Sequence, residues 1–91
     1  MDIKIVRKKG KPPQATFSID SRYANVLVVV GLDGYDYRHY TRDAQWTSTK
    51  DKNVHLAMNG PIMLSFKEME NFLEMIRQGV EEAKTKLKDL T

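Results

Sequence analysis

Within eight positions, Tyr35 to Arg42, the chain places three tyrosines, one histidine and two arginines. Aromatic planes beside guanidinium groups suit a single-stranded nucleic acid, because rings stack on bases while cations follow the phosphates. Trp46, the only tryptophan, lies just beyond. A second cationic group, Arg7, Lys8, Lys9 and Lys11, stands before Pro12-Pro13. Residues 1–52 hold ten Lys/Arg against six Asp/Glu, a balance of +4, whereas 53–91 hold five against six, −1. The asymmetry points to a polyanionic partner. A solvated loop that keeps the chain soluble is the competing reading, and tyrosines are also ordinary strand residues.

Other chemistry finds little material. His39 and His55 are far apart, with no carboxylate at metal-ligand spacing. There is no P-loop, HExxH, GxGxxG or GxSxG motif, and both histidines read as strand residues. The chain has no cysteine, which removes disulfides, thiolate nucleophiles and cysteine-held zinc, and fits a cytoplasmic location. The expectation is a non-enzymatic chain without catalytic residues, metal, cofactor or small-molecule substrate. A hydrophobic share of 41% and a charged share of 30% fit a soluble globular chain. The longest apolar run, Val26 to Val30, is far short of a membrane span. The start, Met1 to Ile5, alternates charged and apolar residues and has no signal-peptide core.

The elements that must position these residues follow from the pattern. Residues 2–8 read as a first strand, and Gly10 with Pro12-Pro13 as a loop. Ala15 to Asp20 alternates Phe17 and Ile19 with Thr16 and Ser18, a half-exposed second strand. Ala24 to Leu32, rich in valine, is the third. Asp33-Gly34 then reads as a two-residue hairpin turn into a fourth strand, Tyr35 to Arg42. That register sets Val30 against Tyr37 and Val28 against His39 on one face. On the other it sets Val29 against Arg38 and Leu27 against Tyr40. If a helix covers the Val26, Val28 and Val30 side, Arg38, Tyr40 and Arg42 face outward over a floor of Leu27 and Val29. If the other side is covered, Tyr35 and Tyr37 become the candidates. Two arginines are costly to bury, which favours the first arrangement. Asp43 to Lys52 lacks a period and reads as a loop carrying Trp46. Val54 to Met58 is a further strand, ended by Asn59-Gly60-Pro61.

Ser65-Phe66-Lys67-Glu68 has the pattern of a capping box, with Leu64 and Met69 at the spacing of a hydrophobic staple. No proline follows to Thr91, so a helix of up to 26 residues, roughly 39 Å, is expected. Phe66, Leu73, Val80 and Leu87 share one heptad position, and Met69, Ile76, Ala83 and Leu90 the other. This is the signature of a coiled-coil seam. A six-residue strand covers only roughly 20 Å. The first half of the helix is therefore expected on the sheet, and the second half, through Ile76, Val80, Ala83, Leu87 and Leu90, in a dimer or tetramer. The alternative is a helix that bends or ends near Gly79, with the remainder packed on its own domain.

The run PIMLSFKEMENFLEMI, Pro61 to Ile76, resembles the sheet-into-helix junction of positive-cofactor-four and Whirly-type proteins. The whole plan resembles the ThermoDBP-related archaeal single-stranded nucleic-acid-binding proteins. The resemblance implies a non-catalytic, oligomeric binder of single-stranded DNA or RNA. The expected fold is α+β over a single domain, 1–91. An antiparallel sheet of four to five strands (1–64) precedes one long C-terminal helix with a zipper-like end (65–91). The expected nucleic-acid contacts are Arg38, Tyr40, Arg42, Trp46, Arg7, Lys8, Lys9 and Lys11. The rival expectation is a protein–protein adaptor that uses the coiled coil or a sheet edge.

Overall fold

The structure is a computed structural model that describes residues 1–21, 24–40, 46–49, 52–58 and 60–90. For 20, 21, 24, 35–40 and 46–49 the description is of the backbone. The elements in chain order are β1 (Lys4–Val6), β2 (Gln14–Ser21), β3 (Ala24–Val30), β4 (Tyr35–Tyr40), β5 (Trp46–Thr49), β6 (Val54–Met58) and α1 (Phe66–Lys88). One antiparallel sheet runs in the order β1-β2-β3-β6, and β4 pairs with β5 in a separate two-stranded ribbon. The architecture is therefore α+β: a four-stranded antiparallel sheet followed by one C-terminal helix.

The expected hairpin between the third and fourth strands is not formed. β3 takes β2 on one side and β6 on the other, with Val30 opposite Val54 and Val28 opposite Leu56. β6, Val54-His55-Leu56-Ala57-Met58, contains no Asp, Glu, Lys or Arg. β4 would bring Asp36 and Arg38 alongside the most apolar strand of the chain, at a desolvation cost that β6 avoids. The turn also differs from the two-residue form. It spans Gly31 to Gly34, whose N–H donates to Gly31 O at 3.3 Å, and Gly34 supplies a φ of +91°. A second correction concerns Trp46, which begins strand β5 where a loop was expected.

Period-two alternation decides the core. Ala15, Phe17 and Ile19 of β2 and Val26, Val28 and Val30 of β3 form one buried face, joined by Ile3, Ala83 and Leu87. Helix α1 lies on this face, chiefly over β2. The other face carries Thr16, Ser18 and the exposed Leu27.

The capping box is present. Ser65 Oγ accepts from Glu68 N–H at 3.1 Å, and Glu68 Oε1 accepts from Ser65 N–H at 3.2 Å. On the exposed flank of the helix, Arg77 Nε donates to Glu74 Oε2 at 3.0 Å. That bond holds the Glu74 carboxyl below its usual range and the Arg77 guanidinium above its own.

The packing of α1 is the reverse of the expected one. Along one heptad position, exposure is 1% at Leu87, 55% at Leu73 and 88% at Phe66. Along the other, Ala83 is buried, Ile76 half-buried and Met69 exposed. The second half of the helix therefore rests on the sheet, while the first half keeps Phe72 and Ile76 against the core and leaves Phe66, Met69 and Leu73 standing clear of it. Of the residues assigned to an intermolecular seam, Ala83 and Leu87 are in the chain's own core, Ile76 and Val80 pack against it, and Leu90 is exposed. The helix neither bends nor ends at Gly79, yet its remainder does lie on its own domain.

Gly79 explains why the close approach falls there. A Cβ at this position would sit 2.5 Å from both Phe17 Cε2 and Met1 Sδ, inside any real contact distance. Gly79→Ala gains helix propensity of about 1 kcal/mol. It also forces the core ring of Phe17 to move, an overpacking cost of about 1–3 kcal/mol. The expected result is a net loss of up to about 2 kcal/mol in urea unfolding. A stabilised variant would show that the helix can shift freely over Phe17.

Candidate nucleic-acid interface

The cationic group is displayed by a tight loop between β1 and β2. Lys11 N–H donates to Lys8 O at 3.1 Å, and Gly10 supplies a φ of +77°. These are features of a β-turn that needs positive φ at its third position. Arg7, Lys8, Lys9 and Lys11 are all exposed around it.

Strand registers locate this loop relative to the ribbon. Val6 pairs with Gln14, Ala15 with Val30, and Val30 with Val54. The β1–β2 loop, the departure of β3 toward β4 and the entry into β6 therefore all lie at one end of the sheet. The loop and the root of the ribbon are one to two strand spacings apart, about 5–10 Å. Lys84 joins this end from the helix, lining a groove with Gly31, Asn53 and Val54.

Asn53 ties the root, and sequence reasoning missed it. Its Nδ2 donates to Gly31 O at 2.7 Å and to Leu32 O at 3.1 Å, while its own carbonyl accepts from Gly31 N–H at 3.0 Å. The available signal was an asparagine where a polar segment meets a strand, a position from which a carboxamide can bind turn carbonyls. These bonds hold β3 and β6 together where the chain leaves for the ribbon.

Along the ribbon, Tyr35 pairs with Thr49, His39 with Thr47 and Tyr40 with Trp46. The two aromatic residues singled out separately by sequence are thus direct backbone partners across two strands. They stand about 16 Å further from the root than Tyr35, at 3.3 Å per residue. A register irregularity between Tyr35 and His39 interrupts strict alternation along the ribbon. The expected pairing of Val29 with Arg38 and Leu27 with Tyr40 is not formed, since Leu27 and Val29 pair with β2 and β6. Arg42 lies outside the described residues.

Among the described residues, no three His, Asp or Glu side chains converge as a metal site, and no helix is long and apolar enough to cross a membrane. The chain matches no family model, no curated protein and no solved structure.

Proposed function

We propose that this chain is a non-catalytic, sequence-tolerant single-stranded nucleic-acid-binding protein, for DNA and also for RNA, that self-associates in the cytoplasm. It needs no metal, cofactor or small-molecule substrate. The observation that carries the reading is topological. A loop with four exposed cations and a ribbon pairing Tyr40 with Trp46 leave the sheet at the same end. Cations in the loop would hold phosphates while the aromatic pair, some 16 Å out along the ribbon, stacks on bases. A strand of several nucleotides is needed to reach both.

The test is fluorescence anisotropy with labelled single-stranded DNA, single-stranded RNA and duplex at two salt concentrations. Single-strand binding that exceeds duplex binding and weakens with salt is expected. No binding at low salt, where counterion release is strongest, overturns the reading. A protein–protein adaptor is the second reading, favoured by exposed Phe66, Met69 and Leu73 on the lifted half of the helix.

A further inference from the structure

We infer that the lifted half of α1 and the outer strand β6 form the contact between two copies of this chain. The inference gives a surface to the self-association in the reading above and does not depend on nucleic-acid binding.

Val54, Leu56 and Met58 lie on the same face of the sheet as Val30, Val28 and Val26, their register partners. Those partners are buried, whereas all three β6 residues are exposed. The cause is the course of α1, which lies chiefly over β2 and leaves the β6 flank uncovered. On the helix side, Phe66, Leu73 and Val80 are seven residues apart and so lie along one flank. Val80 lines a groove of about 340 Å³ with Val30, Leu32 and Val54, which identifies this flank as the one facing β6. The helix runs back along the strand, since Val80 shares that groove with the first residue of β6 and only seven residues separate Met58 from Phe66. Exposed Leu73 and Phe66 therefore continue the Val80 flank toward the Met58 end of β6, where Leu56 and Met58 are exposed too.

Three features choose a second copy as the occupant. The first is area. With Met69, these residues expose on the order of 600 Å² per copy, hence about 1,200 Å² for a pair, where specific interfaces begin. This is the upper end of what a monomer ordinarily leaves as apolar patch. The second is shape. One surface carries both the exposed helix residues Phe66 and Leu73 and the exposed apolar strand face Val54, Leu56 and Met58. A two-fold axis sets each helix ridge against the other copy's strand face and covers both at once. The third is charge. β6 contains no Asp, Glu, Lys or Arg, so an apolar ridge set against it meets no charged side chain of that strand. The Met58 end of the surface lies away from the cationic loop, because Met58 is at the opposite end of β6 from Val54.

The test is sedimentation velocity without nucleic acid at about 100 µM, a concentration that populates even a micromolar dimer. The wild-type chain is expected at twice its mass of 10.5 kDa. Phe66→Lys with Leu73→Lys is expected to return it to a monomer with an unchanged circular dichroism spectrum, since both positions are exposed in the single chain. Leu90→Lys, at the distal end of the heptad pattern, is expected to keep the dimer. A monomeric wild type overturns the inference. So does a doubly substituted variant that keeps the wild-type mass, or a dimer broken by Leu90→Lys. None of these outcomes bears on the anisotropy result, so the two readings fail separately.

Discussion

Replacing Leu87 by alanine is expected to lower the folding free energy by about 2–5 kcal/mol, the range for truncating a fully buried leucine. Leu87 is 1% exposed and belongs to the cluster of Phe17, Ile19, Val26, Val28 and Val30. A chain of this size has about 5–15 kcal/mol to lose, so one such cavity is a large fraction of the total. Urea unfolding should show a lower midpoint with an unchanged slope. The informative comparison is Phe66→Ala, which removes a larger side chain from the same heptad position three heptads earlier. At 88% exposure it should change monomer stability by no more than about 0.5 kcal/mol. A seam made by the distal helix predicts the opposite ranking, with Leu87 tolerant in the single chain. Equal midpoints for the two variants would mean that α1 does not rest on the sheet through its second half.

The second large effect is expected in the ribbon. Tyr40→Ala combined with Trp46→Ala should weaken single-stranded oligonucleotide binding by roughly 30- to 20,000-fold, from about 1–3 kcal/mol per stacked base. The two positions are backbone partners, so the substitution also removes a cross-strand pair that steadies the ribbon. Tyr40→Phe with Trp46→Phe separates the two roles, because it keeps both aromatic planes and should retain most of the affinity. A complementary variant, Lys8, Lys9 and Lys11 each changed to Gln, should act differently. It should reduce the slope of log affinity against log salt by about 2, at roughly 0.7 per phosphate contact on a single strand. The aromatic variant should leave that slope nearly intact. Unchanged affinity in the Tyr40, Trp46 double alanine variant would remove the ribbon from the site.

Much of the molecule could be read locally, for local reasons. Ser65 and Glu68 satisfy each other's backbone across one turn, so the helix start required no knowledge of the remainder. The alternation of Phe17 and Ile19 with Thr16 and Ser18 reports one wet and one dry face, which is a property of the strand itself. Gly10 beside the lysines marks a turn by its backbone freedom, and the exposed cationic loop followed. Of the heptad stripe of α1, Ile76, Val80, Ala83 and Leu87 lie in or against the core, whereas Phe66, Met69, Leu73 and Leu90 are exposed.

What occupies each surface was decided only by the tertiary structure. Two strands competed for the free side of β3. The near one, β4, had the shorter loop, but the distant β6 had the partner chemistry and Asn53 to tie it. Nothing within a hairpin window contains that comparison. The brief pairing of Tyr40 with Trp46 is likewise a consequence of β4 being left to find β5. In the helix, a heptad stripe states that an apolar neighbour exists and is silent about whose it is, because a sheet and a second helix satisfy the same period. Gly79 allowed the backbone of α1 to reach Phe17, and that close approach set the second half down on the sheet and lifted the first. The sequence determined the elements and their apolar faces; non-local packing decided which faces the chain covers itself and which remain open.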